Sequence, residues 1–300
     1  MKILLIGTEG QVAYELRRSL ACLGEVLAYD RRTQPALDLA DFAGLRRTIL
    51  GLRPTFVVNA AAYTAVDRAE QETQQAHCLN GEAPGVLAEA AAAVGAVLIH
   101  YSTDYVFAGE ASAPYREEDP VGPTSAYGRS KLAGEEAIRQ VGGAHFILRT
   151  AWVYGRRGHN FLRTMLRLLK EREVLRVVDD QRGAPTWSRL VAEATALLIA
   201  RCTREGRFEA DGKTGTYHLT CAGETTWYDF AVRIRTLAQA QGLLPADCAR
   251  LEPIPTSAYP TPARRPAYSV LSNAKLGRNF DLRLPDWQQA LELCMGEFSA

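Results

Sequence analysis

The first thirty residues constrain the fold more than any other stretch. Lys2 to Ile6 is a short apolar run, followed by Gly7-Thr8-Glu9-Gly10-Gln11-Val12-Ala13 and a helical period with Val12, Leu16 and Leu20 on one face. This order is strand, glycine turn, helix. A second strand pattern from Glu25 to Tyr29 ends in Asp30, and the alternation then continues. Leu45 to Leu52 reads as a helix, Thr55 to Val58 as a buried strand, Pro84 to Val94 as a helix, and Ala96 to His100 and His145 to Leu148 as strands. Strands separated by helices pair in parallel, so the expected class is α/β, a Rossmann-type doubly wound parallel sheet.

In such sheets ligands bind beyond the carboxyl ends of the strands. The turn containing Gly7 and Gly10 lies at that edge. It lets the backbone approach a pyrophosphate, whose charge is stabilised by the free N–H groups of the following helix. The pattern is G-x-x-G-x-x-A rather than the commoner G-x-G-x-x-G. Asp30 stands about where an acidic residue meets an adenosine ribose, while Arg31 and Arg32 could accept a 2′-phosphate. NADH is therefore favoured without excluding NADPH. Asp38 and Leu39 fall in the next loop, near the adenine. Asn59-Ala60-Ala61-Ala62-Tyr63-Thr64 leaves the third strand, and small side chains there let a flat cofactor lie against the backbone.

The fourth strand delivers Tyr101, Ser102 and Thr103 to the same edge. After a Pro/Gly-rich stretch from Glu110 to Thr124, which reads as a mobile loop, Ser125 is placed to cap a helix carrying Tyr127 and Lys131. Four residues apart on a helix, the phenol and the ammonium project from one face. A nearby cation favours the phenolate, and moving a phenol pKa from about 10 to near 7 requires on the order of 4 kcal/mol. Such a pair can protonate a carbonyl oxygen.

Composition removes other classes of function. Thirty-five basic residues balance thirty-four acidic ones, so no global field favours nucleic acid or an anionic membrane. No apolar run reaches the ~20 residues of a membrane span, and a cytoplasmic protein is expected. The six cysteines are scattered with no C-x-x-C pair, which suggests reduced thiols.

The alternation weakens after Arg149. Asn160 to Arg172 reads as a basic amphipathic helix with Phe161, Met165, Leu168 and Leu169 inward. Val174 to Val178 reads as a strand, Ser188 to Arg201 and Trp227 to Gln241 as helices, and Thr216 to Leu219 as a strand returning to the main sheet. Pro255 to Pro266 has four prolines and reads as an irregular strap bearing Arg264 and Arg265, and Asp286 to Phe298 closes the chain as a helix. The expected organisation is a dinucleotide-binding domain from 1–150, joined by about 187–220. About 151–186 and 221–300 form a smaller, mixed α/β substrate domain.

Several runs carry a family resemblance. They are Gly7-x-x-Gly10-Gln11-Val12, Val58 to Asp67, His100-Tyr101-Ser102-Thr103-Asp104-Tyr105-Val106-Phe107 and Tyr127-Gly128-x-x-Lys131-Leu132-Ala133-Gly134-Glu135. Further on come Arg149 to Tyr154, Asp180-Gln181-x-Gly183-Ala184-Pro185-Thr186 and the Pro255 to Pro266 strap. With these the chain resembles the extended branch of the short-chain dehydrogenase/reductase superfamily, and within it the dTDP-4-dehydrorhamnose reductases. The resemblance implies a catalytic set of Thr103, Tyr127 and Lys131. It implies cofactor contacts at Gly10, Gln11, Val12, Asp30, Ala62, Tyr63, Thr64 and Tyr101, with Gly7 and Ala61 alongside. The sugar of a dTDP-sugar substrate would meet Thr103, Asp104 and Trp152, with Phe107 grouped on the same side. Glu15 and Glu297 match two glutamates that hold an interface magnesium in the family, but Arg189 replaces the third. No metal site is therefore expected, and either a monomer or a homodimer fits.

Three rivals share the scaffold, two of them enzymes and one not. A nucleotide-sugar 4,6-dehydratase carries an Asp-Glu pair after the Thr, whereas Asp104 is followed by Tyr105. A 4-epimerase shares the Tyr and Lys. A non-catalytic nucleotide-binding regulatory subunit would not need the catalytic set.

Overall fold

The computed structural model describes residues 1–209 and 212–298. Its centre is a six-stranded parallel sheet built from β1 (Lys2–Ile6), β2 (Glu25–Tyr29), β3 (Phe56–Asn59), β4 (Val97–Thr103), β5 (His145–Thr150) and the strand Gly215–His218. The spatial order is β2-β1-β3-β4-β5-(Gly215–His218). The chain goes from β1 to one side and then returns across it to β3, so the strand order reverses at β1. In doubly wound sheets that reversal opens a crevice at the carboxyl edge. Gly215–His218 pairs in parallel with β5, the return to the main sheet expected from sequence.

Helices cover both faces. On one, α1 (Gln11–Leu20) packs with a later helix, Ser188–Arg201, over Ile3, Leu5, Val58 and Ile99. On the other lie α2 (Phe42–Leu52), α4 (Ala83–Ala93) and α5 (Ala126–Val141), over Leu4, Ile6, Val57 and Leu98. The strands alternate their side chains between these two clusters, as the pleat requires. α2 begins three residues before its apolar period because the Asp41 side chain accepts from Gly44 N and caps it. β4 runs three residues past the expected His100 because Tyr101, Ser102 and Thr103 keep pairing with Leu148, Arg149 and Thr150 of β5.

The segment before α4 carries structure that periodicity did not show. α3 (Thr73–His77) runs through a π turn, Cys78–Glu82, into α4. A π turn inserts a residue into the helical ladder and redirects the side chains there. Here it buries Asn80 fully.

A third cluster lies apart from the sheet. It joins α6 (Phe161–Glu171), two helices at Trp227–Ala240 and Trp287–Gly296, and the parallel pair β7 (Val174–Val178) with Arg250–Ile254. The β7 partner was not recognised in the sequence, because Pro253 interrupts its apolar run. β6 (Val153–Tyr154) links this cluster to the end of β5. All six cysteines are free thiols, and no helix among the described residues is long and apolar enough to cross a membrane.

The stretch from Glu110 to Thr124 is held down rather than loose. Tyr115 stacks on Phe107 at 4.2 Å, and its phenol oxygen accepts from the backbone N–H groups of Gly109, Glu110 and Ala111 at 3.0–3.1 Å. Prolines and a missing apolar period described its backbone correctly. They did not reveal that one tyrosine would satisfy two of its donors and that of Gly109 before it.

Candidate active site

The site grows from the carboxyl ends of β1, β3 and β4. Gly7 leaves β1 with φ +102°, a conformation that costs other residues strain. A Cβ there would also press on the backbone of Ala60 and Ala61 at 3.4 Å, so the turns after β1 and β3 close on each other. Gly10 is the N-cap of α1, and no side chain caps it. The free N–H groups and positive end of α1 therefore face the crevice, and they fit a dinucleotide diphosphate. Gln11 turns toward the neighbouring loop, where its amide oxygen accepts from Asn160 at 2.8 Å. Val12 is half-buried against the sheet cluster.

At the end of β2, the Asp30 carboxylate accepts from the Thr8 hydroxyl and from the backbone N–H groups of Arg32 and Thr33. These donors, the Thr8 hydroxyl foremost, hold its pKa below the ordinary value. Asp38 accepts from Ala40 N beside the same edge. Leu39 is 6% exposed and packs in the sheet cluster.

After β3, Ala61 and Tyr63 are half-buried and Ala62 and Thr64 are exposed. Asn80 fixes this loop. It accepts from Tyr63 N, donates to Tyr63 O at 2.9 Å, and donates to Ser130 Oγ of α5 at 3.0 Å. α5 can approach because Gly134 lacks a side chain: a Cβ there would lie 2.1 Å from the Asn80 carbonyl oxygen.

α5 starts as expected, with the Ser125 side chain accepting from Gly128 N at 3.1 Å. Lys131 is 2% exposed. Its ammonium donates to the Tyr101 carbonyl at 2.6 Å and lies 3.1 Å from His100 Nε2. The Tyr101 phenol points away to Thr195 at 2.7 Å, so the backbone of Tyr101, rather than its ring, meets the lysine. Burial lowers the Lys131 pKa to about 8, with Glu135 partly opposing the fall.

Tyr127 departs from the expected electrostatics. Its phenol is pushed up by burial, with the Thr103 hydroxyl pulling the other way and Asp104 and Tyr105 adding to the rise. The ammonium meant to lower it is engaged by Tyr101 and His100. At neutral pH the phenol of the ligand-free protein therefore holds its proton, which is the form a general acid requires.

Asp104 is 2% exposed, accepts from the Thr103 hydroxyl at 3.0 Å, and leaves Oδ2 without a hydrogen bond. Burial raises its pKa to about 6, despite the Ser269 and Thr103 hydroxyls beside it. The folded protein thus binds this proton more tightly than the unfolded chain. The stabilisation is fully present below about 3.8 and is lost as pH rises through about 6, and at pH 7.5 the buried carboxylate costs about 3 kcal/mol. Asp104→Asn is expected to resist urea better than the parent by about 2–3 kcal/mol at pH 7.5 and by only about 0.5 kcal/mol at pH 4. Urea melts at the two pH values check this, and an equal gain at both would contradict it.

Trp152 takes a left-handed φ of 48° and stacks on Trp227 at 3.5 Å, nearly parallel. Trp227 in turn donates from its indole nitrogen to Gln181 at 3.2 Å. A bulky residue in that backbone region is unusual and tends to mark a functional position. Phe107 differs: at 1% exposure it packs against Tyr115 and under the Arg149 guanidinium, so it supports the site from the core rather than lining it.

The Pro-rich strap reaches back over the site. Arg265 donates to the Tyr105 phenol at 3.0 Å and to Asp67 at 2.8 Å, while the Tyr105 ring meets that of Tyr127 edge-on at 5.6 Å. Arg264 stays largely exposed. A cavity of about 500 Å³ lies between the strap, Ala108–Glu110 and Asp180.

One turn further along α1 from Gln11, the Arg189 guanidinium lies between the carboxylates of Glu15 and Glu297 and pairs with both. A cation already fills that place, and a guanidinium offers no lone pair to a metal. The residues there do not fit a divalent ion.

Residues that touch the site and that sequence reasoning did not single out include His100, Asn80 and Trp227. His100 stands inside a singled-out run, but nothing in its spacing says that it faces a lysine. Asn80 sits on an irregular turn without periodicity. Trp227 reads as an ordinary helix start.

A doubly wound sheet with an uncapped helix at its reversal point, and a Tyr and Lys on one helix beside it, is the arrangement of an extended short-chain dehydrogenase/reductase. The family model described as RmlD substrate binding domain matches residues 1–300, and the chain belongs to that family. It is 52% identical over 296 residues to a dTDP-4-dehydrorhamnose reductase of Burkholderia thailandensis, covering 98% of both chains. Among solved structures, a dTDP-4-dehydrorhamnose reductase of Clostridium acetobutylicum superposes with TM-score 0.89 at 37% identity, covering 100% of each chain. One from Bacillus anthracis, solved in complex with NADP, gives 0.86 at 32% identity over 99% of each.

Proposed function

We propose that this protein reduces the C4 ketone of dTDP-4-dehydro-L-rhamnose to give dTDP-L-rhamnose, using NADPH or NADH. The observation that carries the reading is a Tyr and a buried Lys one helical turn apart on α5, at the edge where the α1 terminus and the Asn59–Thr64 loop converge. Reduced nicotinamide supplies the hydride. Tyr127 gives its proton to the C4 oxygen, so hydride and proton together convert the ketone to an alcohol. Thr103 hydrogen-bonds the reacting oxygen, and Lys131 holds the cofactor ribose with an N–H left free by its protein partners. Gly7, Gly10, Gln11 and Val12 meet the diphosphate. Asp30, with Asp38 and Leu39, meets the adenosine end, and Ala61 to Thr64 line the cofactor's path. Asp104 and Trp152 take the sugar.

Residues 1–150 with about 187–220 act as the cofactor-binding domain, and about 151–186 with 221–300 as the sugar-nucleotide domain. The protein works in the cytoplasm as a monomer or homodimer, with no metal between Glu15 and Glu297.

The 4,6-dehydratase reading fails on one observation: Tyr105 stands where a second carboxylate is needed, and its phenol is engaged by Arg265. A coupled assay with dTDP-glucose, the upstream enzymes and NADPH tests the proposal. Stoichiometric NADPH oxidation with dTDP-rhamnose formed is expected. Turnover on a retained NAD with no added reductant would indicate an epimerase, and neither activity would indicate a nucleotide-binding subunit.

A further inference from the structure

His100 enters none of the steps above, yet it touches the ammonium of the site. Lys131 Nζ lies 3.1 Å from its Nε2, and the side-chain nitrogen of Asn59 lies 3.1 Å from its Nδ1, while the Asn59 side-chain oxygen accepts from Ala61 N at 3.3 Å. All three side chains are enclosed, with Asn59 and His100 at 1% exposure and Lys131 at 2%. An ammonium has three protons and no acceptor. The Tyr101 carbonyl takes one and the imidazole takes another, which leaves one for a ligand.

An imidazole can accept at Nε2 only when its own proton sits on Nδ1. Nδ1–H then needs an acceptor. A neutral ring cannot accept at both nitrogens and the ammonium can only donate, so the Asn59 amide is the group that turns, bringing its oxygen to the ring in place of its 3.3 Å bond from Ala61 N. Burial and the Lys131 charge hold the His100 pKa well below its ordinary value, so the ring is neutral and free to accept.

We infer that His100 is a positioning residue: held in its Nδ1–H tautomer by Asn59, it accepts from the Lys131 ammonium, favours its charged form and leaves one proton for the bound cofactor. The inference rests on the reading of Lys131 given above. The groups facing Lys131 are few. Tyr127 and Glu135 stand one turn away on either side in α5, and the Glu135 carboxylate is shared with Arg149 of β5 and Ser102 of β4. His100 comes from β4, and the neutral Asn59 stands behind it on β3. Burial disfavours the ammonium and Glu135 favours it. Removing the imidazole leaves a buried, charged N–H without its acceptor, and that cost falls only on the charged form.

The test is the pH profile of kcat/KM for NADPH, with NADPH affinity measured by its fluorescence, in the parent and four variants. The parent profile is expected to fall on the alkaline side near pH 8, as Lys131 loses its proton. His100→Leu should move that limb down by about one unit or more, the size of a lost hydrogen bond to a charged group. Its NADPH affinity should be several-fold weaker at pH 7.5, and the gap should narrow towards pH 6, where both proteins carry a charged lysine. His100→Gln keeps an acceptor in place and should return the limb to the parent position. Asn59→Leu frees the tautomer and should move the limb down by less.

A His100→Leu limb that coincides with the parent, or lies above it, overturns the inference. Where circular dichroism shows that variant unfolded, an unmoved limb in Asn59→Leu does so instead. Lys131→Met separates the two readings. If that variant binds NADPH and turns over like the parent, the role given to Lys131 falls. If it is inactive while the His100 and Asn59 profiles are unchanged, only this inference falls.

Discussion

Replacing Tyr127 by Phe is expected to lower kcat by about 10²- to 10⁴-fold, the usual contribution of a positioned general acid, with little change in KM. The ring, and with it the edge-on contact to Tyr105, is retained. Only the proton donor is lost. The effect should be confined to the chemical step, because the phenol is protonated in the resting protein and its proton is needed only as charge develops on the C4 oxygen. Single-turnover measurements with excess enzyme, beside NADPH affinity by fluorescence, check this. A variant with normal turnover would remove Tyr127 from the reaction, whereas one that fails to bind NADPH would make it a structural residue.

Arg149→Met is expected to destabilise the fold by up to about 3–5 kcal/mol, the typical cost of removing one partner of a buried ion pair, since Glu135 then keeps only Ser102 and the partly exposed Arg139 at 3.1 Å. Arg149 and Glu135 are 2% and 0% exposed, and the guanidinium meets both carboxylate oxygens, at 2.9 and 2.7 Å. Burial alone would raise the Glu135 pKa, but the Arg149 and Ser102 hydrogen bonds and the Arg149 charge outweigh it and hold the carboxyl below its usual value. A carboxyl with a depressed folded pKa contributes stability above its unfolded value, and that contribution is lost as pH falls through the folded one. The parent should therefore lose stability in acid through this pair, and Arg149→Met should show a flatter dependence. Arg149→Lys should recover only part of the loss, because an ammonium cannot match the two oxygens with a rigid fork. Urea melts at several pH values measure all three. A variant within about 1 kcal/mol of the parent would show that the pair is replaceable by packing.

How much of this was legible in sequence follows from the physics of each element. The five leading strands of the sheet were visible because buried parallel strands are short apolar runs bounded by turns. Tyr127 and Lys131 were legible because helical spacing of four alone places them together. What was not legible depends on contacts between segments distant in the chain. Asn80 clamps Tyr63 from a π turn, and Pro253 hides the partner of β7. The Tyr127 electrostatics went the other way because spacing puts an ammonium near a phenol but does not reveal that Tyr101 and His100 engage it first. Phe107 belongs to the same class: its place in a functional run suggested the cleft, and its stacking on Tyr115 puts it in the core. The strap was recognised as irregular, with a diphosphate or solvent equally open to its arginines, and Arg265 instead ties it to Tyr105 and Asp67.

The central claim is that hydride arrives at C4 of the sugar while Tyr127 supplies the proton. It is tested most directly by running the coupled reaction with NADPH deuterated at the transferring position and locating the label by nuclear magnetic resonance. The prediction is one deuterium per product molecule at C4 of dTDP-L-rhamnose, with one NADPH consumed for each. Unlabelled product, label at another carbon, or product formed without net consumption of NADPH would contradict it.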